Sequence, residues 1–328
     1  MRFDFLLVGG GLQSVLATLA VLARTPKASV CIVEAAREIG GNHTWCFHAG
    51  DVPVSLRSTF EPLVSKRWER WGVSFPNTTR TFDKHYAMVT SASLRRAVDA
   101  AFRENPDRVL RLGTPARHVG RSTVRLDDDT ILESEIVVDA RGPRALDVAC
   151  GWQKFVGLEL ELDAPHSFAA PIVIDAKVHQ RDGFRFFYVL PISPTRVLVE
   201  ETFFSDTPTL NEHAGARAVF AYAKRHGLSI RRTVRDESGV LPLPLEWPGT
   251  SAATDGPILA GYGGGFFHPT TGYSFPVAAR VAERLAQTSA ADLHGAAWDR
   301  FRSAHDRQAR FAVLLNRLLF SATTTSGA

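Results

Sequence analysis

Apolar residues fall along this chain in two rhythms, short unbroken runs and spacings of three or four. The run at residues 3–8 ends in Gly9-Gly10-Gly11 and predicts a buried parallel strand. Residues 12–24, rich in Ala and Leu, predict a helix that Pro26 stops. Residues 29–33 predict a second strand with Glu34 at its end. Further on, helical spacing predicts a helix over 56–71 and an irregular stretch over 75–85. A strand at 86–89 follows, then a helix at 94–102 with Ser91 as its N-cap. Strands are expected at 109–112, 116–119 and 123–126, with a solvated turn at Asp127-Asp128-Asp129. Residues 135–140 return to the unbroken rhythm of a buried parallel strand.

From Trp152 the pattern changes to strands divided by turn residues, at 156–162, 171–178, 184–191 and 196–203. A helix at 211–226 and two more strands lead to Leu245. A short strand at 257–260, a helix at 273–287 and a long helix at 296–320 complete the chain. The resulting fold class is α/β. A Rossmann-like domain (1–50, 85–150 and 250–290) carries an inserted antiparallel sheet domain (51–84 and 151–249). C-terminal helical residues 291–320 and a disordered tail at 321–328 follow.

Composition narrows the function classes. The chain of 328 residues is 45% hydrophobic and 22% charged, as expected of a globular enzyme with a sizeable core. The net charge of +4 suits an anionic cofactor or an acidic membrane surface. No block of Lys and Arg interleaved with aromatics points to nucleic acid. Cys31, Cys46 and Cys150 are far apart and form no ligand cluster, so neither a metal site nor a disulfide framework is expected. Residues 6–23 imitate a membrane helix, but the three glycines interrupt them, and no other run is long enough to span a bilayer.

The first strand–helix–strand unit has the dinucleotide-binding arrangement. Gly9 supplies the tight turn, and Gly11 with Leu12 opens the helix mouth to a pyrophosphate. Glu34 is placed to accept hydrogen bonds from ribose hydroxyls and would repel a 2′-phosphate. Ser14 stands where the fingerprint usually has Gly or Ala. The next segment, Gly40-Gly41-Asn42-His43-Thr44-Trp45, is similar to the loop that covers the cofactor in flavoproteins related to glutathione reductase. Asp139 and Arg141, followed by Gly142, either support the cofactor's phosphates or brace the loop as a salt bridge.

Glu200 and Glu201 are adjacent on a strand and therefore point to opposite faces. One of them can enter an apolar cavity, where a carboxyl holds its proton, while the other meets solvent or an arginine. Phe184, Phe186, Phe187, Tyr188, Phe203 and Phe204 supply either core or the wall of such a cavity. Phe267-His268-Pro269-Thr270-Thr271-Gly272-Tyr273 reads as an aromatic loop leading into a helix mouth.

Together, Gly9–Gly11, Gly-Gly-Asn-His-Thr-Trp45, Asp139-Ala-Arg-Gly142, Glu200-Glu-Thr202 and Phe-His268-Pro-Thr-Thr-Gly-Tyr resemble the bacterial lycopene beta-cyclases over residues 3–320. The resemblance implies FAD kept reduced by NAD(P)H, with lycopene and a carotene intermediate as ligands. It implies a non-redox isomerisation by protonation, ring closure and proton loss. It assigns Glu200, then Glu201, as proton donor. It sets His268, as a further catalytic residue, with Pro269, Thr270, Thr271 and Gly272 against the flavin, and Gly41, Asn42 and His43 nearby. The enzyme is then expected in the cytoplasm, on the inner face of the cytoplasmic membrane, touching it through Arg310, Arg317 and the apolar end of the last helix. Family members continue with a further helical segment, so an inactive FAD- or carotenoid-binding remnant is one alternative. A monooxygenase or desaturase acting on an apolar isoprenoid is the other.

Overall fold

In the computed structural model, which describes residues 2–103, 105–142, 146–250 and 255–321, the Arg2–Val8 strand lies at the centre of a seven-stranded sheet. It pairs in parallel with Val30–Glu34 on one side and Ile131–Asp139 on the other. Arg108–Leu112 extends the sheet beyond Val30–Glu34, and Ile258–Leu259 adds a short parallel strand to Ile131–Asp139. Thr123–Leu126 and Ala116–Val119 continue it antiparallel. The unbroken apolar runs are explained by cover on both faces. Leu7, Val30, Ile32 and Val138 pack under the Leu12–Arg24 and Phe275–Gln287 helices, while Leu6, Cys31, Val33 and Val137 pack on the opposite side.

A second seven-stranded sheet runs in the order Ile230–Pro244, Cys150–Leu162, Arg196–Ser205, Phe184–Ser193, Ile172–Asp175, Trp71–Phe75 and Thr78–Phe82. One face buries Leu158, Val189, Val199 and Phe187 beneath the Glu212–Arg225 helix. The other meets a three-stranded sheet of Thr44–His48, Tyr86–Thr90 and Val64–Trp68, through Leu190 and Leu198 against Cys46, Trp68 and Met88.

Most expected elements are present, and several boundaries differ for identifiable reasons. Residues 56–71 form a four-residue helix, Arg57–Phe60, two 3-10 turns and the Val64–Trp68 strand. Pairing of that strand with Tyr86–Thr90 overrides its helical spacing. The stretch expected to be irregular is the Trp71–Phe75/Thr78–Phe82 hairpin. Thr90, not Ser91, caps the Ser91–Phe102 helix by accepting from Ser93 N–H. The two strands expected before Leu245 are a single strand, Ile230–Pro244, whose register shifts accommodate its length. The helix expected from 273 begins at Phe275, with Pro276 in its first turn. Ala296–Ser321 forms the long terminal helix, and the expected tail lies outside the described residues from 322 on.

Candidate active site

The glycine turn is built for a close ligand at one position and for tight packing at the others. Gly9 has φ +95°, and an added Cβ there would lie 3.0 Å from Ala140 O and Arg141 Cα. At Gly10 a Cβ would press on Ile39 and Glu34. Gly11 differs, because a Cβ there would meet no atom within 4 Å at the mouth of the Leu12–Arg24 helix. Unpaired N–H groups at a helix mouth with open space before them suit a pyrophosphate. Ser14 fits the fingerprint's small position by donating its hydroxyl to Gly9 O. Glu34 accepts from Gly10 N–H at 2.5 Å and Ala36 N–H at 2.8 Å, which fixes its carboxylate at the strand end with lone pairs to spare.

The segment Gly40–Trp45 is held in place by the Ser91–Phe102 helix. Gly40 and Gly41 both have positive φ. Ser91 Oγ donates to Gly40 O at 2.6 Å and accepts from His43 N–H at 2.7 Å, and Arg95 donates to Gly41 O at 3.1 Å. Asn42 donates to Asp236 O, which ties the loop to the second sheet. Burial lowers the pKa of His43, keeping its ring neutral. A crevice of about 320 Å³ lies beside the loop, lined by Asn42, His43, Arg95, Arg96, Arg196 and Arg235.

Opposite this loop, strand register assembles a row of side chains on one face of the second sheet. Tyr188, Glu200, Gly157 and Glu237 are successive cross-strand partners. The next row holds Phe186, Thr202, Phe155 and Gly239, and the one beyond it Phe184, Phe204, Gln153 and Leu241. The rings of Phe184, Phe186 and Phe204 lie within 5.5–6.2 Å of one another. Phe155, Phe184 and Phe204 remain only half-buried, so this face is an apolar wall.

Glu200 retains accessible surface on that wall, and its described hydrogen bond is from Thr202 Oγ1 at 2.6 Å. Removal from water, then the charge of Glu237, pushes its pKa up to about 8. Glu201 points the other way. It is 2% exposed and lies within 2.6 Å of the Arg185 guanidinium and 3.1 Å of Arg181. The two acids therefore occupy different environments, one a proton-holding site and the other an ion-pair anchor beneath the sheet.

The aromatic loop closes the same space from the first sheet's side. Gly272 has φ +63°, and a Cβ there would meet Leu241, Gln153 Oε1 and Tyr262 OH at 2.8–3.1 Å. Gln153 Oε1 and Tyr262 OH are buried and lack hydrogen-bond partners, so polar atoms at this point face an unfilled role. Tyr262 stacks on Phe267 with centroids 4.0 Å apart. The terminal helix clamps the loop. Asn316 Nδ2 donates to Pro244 O and Pro269 O at 2.9 Å each, and Thr270 Oγ1 donates to Ala312 O at 2.9 Å. Thr271 is exposed and bonds the ring of His268 at 3.2 Å.

His268 is exposed, and the charges that reach it belong to Arg280 and His305. Among the described contacts none joins it to Glu200 or Glu201. Asp139 holds Arg141 through two bonds of 2.7 and 2.9 Å, the bracing arrangement, beside Gly142 at the edge of the glycine turn. Glu237, Arg235 and Tyr86 were not anticipated, and Tyr188 was expected only as core or cavity wall. Arg235 and Glu237 alternate on one face of their strand, a signal that gains meaning only once Gly157 is placed between Glu237 and Glu200.

The profile described as "Lycopene cyclase protein" matches residues 4–328. The chain belongs to the lycopene cyclase family. It is 34% identical to the lycopene beta-cyclase of Pantoea ananas over 326 residues, covering 98% of this chain and 84% of that protein. It is 36% identical to the lycopene beta-cyclase of Paracoccus sp. (strain N81106 / MBIC 01143) over 328 residues, covering 98% and 83%. Solved structures share the fold at lower identity. A geranylgeranyl bacteriochlorophyll reductase-like protein from Thermoplasma acidophilum superposes with a TM-score of 0.67 at 13% identity, covering 96% of this chain and 83% of that one. A probable FAD-dependent monooxygenase from Pseudomonas aeruginosa gives 0.64 at 20%, covering 98% and 94%. Membership in the cyclase family is thus carried by whole-length sequence similarity, and the α/β architecture is shared with flavoprotein folds of other chemistry.

Proposed function

We propose that this lycopene cyclase family member is a lycopene beta-cyclase that converts the linear ends of lycopene to beta-ionone rings without net oxidation. The observation that carries the reading is Glu200, an acid with a pKa pushed up to about 8 on a half-open aromatic wall. At neutral pH it keeps its proton and can deliver it to a terminal double bond. Phe155, Phe184, Phe186 and Phe204 would line the polyene, and their faces would stabilise the carbocation as the ring closes. Tyr86 and Tyr188, whose hydroxyls lie 2.9 Å apart, stay neutral because burial raises their pKa values. The ring carbon then loses a proton and the charge count closes.

The residues that would hold FAD are Gly9, Gly11, Leu12 and Glu34 at the nucleotide end, with Gly41, Asn42, His43 and Pro269–Gly272 beyond. The open cradle at Gly11 and the orphaned polar atoms around Gly272 support that fit. Reduced FAD, maintained by NAD(P)H, would supply negative charge to the site. Asp139 and Arg141 brace the turn, and Glu201 fixes the strand that carries Glu200.

No described helix is long and apolar enough to cross a membrane. Phe311, Leu314, Leu315 and Leu318, spaced three and four apart, are 49–71% exposed on the terminal helix, with Arg310 and Arg317 beside them. Such a face would rest on the inner leaflet, where lycopene is dissolved. Expression in cells that accumulate lycopene tests the reading. Conversion to cyclic carotenes is expected, and unchanged pigment with a folded, FAD-loaded protein would sink it.

A further inference from the structure

Two charged rows converge on Glu200, and the arginine whose charge reaches it, Arg235, spends its described carboxylate bonds on Glu237 and Glu159. Glu237 is 5% exposed and accepts from Arg235 Nη1 at 2.9 Å. Arg235 also donates to Glu159 at 2.7 Å and to Thr44 Oγ1. Glu159 is paired in addition with Arg196. Glu159 and Glu237 are therefore matched by Arg235 and Arg196. Glu200 faces the same cluster with Thr202 as its described hydrogen-bond partner. Of the remaining titratable groups, Tyr188 is its partner on the adjacent strand and Cys46 feels its charge from the sheet packed above, while Tyr86 bonds Tyr188 and His43 faces Glu237 and Arg235.

Gly157 makes the encounter possible. A methyl group there would lie 3.1 Å from Glu237 Cγ and 3.3–3.5 Å from Glu200 Cβ and Cγ. The two carboxyls thus lean over one glycine from opposite sides, with no side chain between them.

We propose that Glu200 and Glu237 form a carboxyl pair that holds one proton, in which Glu237, anchored as the anion by Arg235, is the positioning residue that keeps the proton on Glu200. The assignment deepens the cyclase reading and rests on it. In the resting pair Glu200 is neutral and Glu237 charged. Delivery breaks the Glu200 O–H bond and forms a C–H bond at the terminal double bond. Both carboxylates are then anionic while the substrate is a cation, which favours the charged intermediate. After ring closure a C–H bond on the ring breaks and its proton returns to Glu200. The pair ends as it began, and no oxidant or reductant is consumed.

The test is the rate–pH profile of the purified, flavin-loaded chain acting on lycopene in vesicles, wild type against Glu237→Gln. The wild-type rate should fall as pH rises through about 8, as Glu200 loses its proton. Removing the neighbouring charge should move that limb down by roughly one pH unit or more. Glu237→Asp should restore most of the shift. A slower Glu237→Gln enzyme whose limb stays in place would reduce Glu237 to a packing role and overturn the proposal. Should Glu237→Gln fail to fold, Glu237→Met, of similar volume and without charge, must show the same downward shift. An infrared titration of the protonated carboxyl band that Glu200→Gln removes reads the same equilibrium without turnover. Wild type that makes no cyclic product would defeat the cyclase reading, while the infrared shift in Glu237→Gln would still decide for or against the pair.

Discussion

Replacing Asn316 with alanine should loosen the flavin-side loop as well as the fold. Asn316 is 0% exposed, and its Nδ2 holds Pro244 O at the end of the second sheet and Pro269 O in the loop, at 2.9 Å each. One side chain therefore joins three elements, since it is carried by the terminal helix. Alanine leaves two buried carbonyls unpaired, and each such loss costs about 1–3 kcal/mol. The Asn316 Oδ1 already lacks a partner, so deleting it returns part of that cost. A net destabilisation of about 2–4 kcal/mol follows. Urea unfolding of the flavin-free chain measures it, and flavin fluorescence during titration reads the accompanying loss of FAD affinity. Thr270→Ala, which removes the hydroxyl's bond to Ala312 O, should show the same pattern at about 1 kcal/mol. An Asn316→Ala protein within about 0.5 kcal/mol of wild type, with unaltered FAD affinity, would refute the clamp.

Other consequences separate fold from ligand. Gly9→Ala meets backbone at 3.0 Å with φ +95° and should cost the fold about 1–3 kcal/mol in denaturant melts, whereas Gly11→Ala should leave the flavin-free chain unaffected and weaken FAD binding at least roughly tenfold. Glu200→Gln should abolish cyclisation and change the pH dependence of stability. A carboxyl whose folded pKa lies above its unfolded value stabilises the fold at low pH and loses that contribution as pH climbs from the ordinary carboxylate range to about 8, at up to about 1.4 kcal/mol per pH unit. The variant should therefore be the more stable protein in alkaline urea melts, and parallel pH curves would contradict the raised pKa. Phe311→Glu with Leu318→Glu should abolish sedimentation with anionic vesicles while leaving the melting curve unchanged, because both side chains are at least 70% exposed.

What the sequence disclosed follows from how local each signal is. The glycine turn, its helix and Glu34 are contiguous, so spacing alone defines them. The opposite orientation of Glu200 and Glu201 follows from strand alternation. Residues 56–71 misled because 3-10 turns and a strand place Leu56, Phe60 and Leu63 at spacings a helix would also give. Their true form depends on pairing with Tyr86–Thr90, which is distant in sequence. The Glu237 position was hidden for a similar reason. Its meaning lies in register, through Gly157, with a residue 37 positions away. Asn316, an uncharged polar residue in a largely apolar helical stretch, was the overlooked hint of a buried clamp. His268 shows the converse, since a residue prominent in its motif is exposed and is not joined to the acid by any described contact.

Acid-driven cyclisation and redox chemistry would leave different masses on the polyene. Mass analysis of the product formed anaerobically from lycopene by the purified, FAD-reduced protein separates the two most directly. Cyclic products with the mass of lycopene are expected, formed by wild type and absent with Glu200→Gln. A product that has gained oxygen or lost hydrogen, or equal turnover by Glu200→Gln, would contradict acid-driven cyclisation.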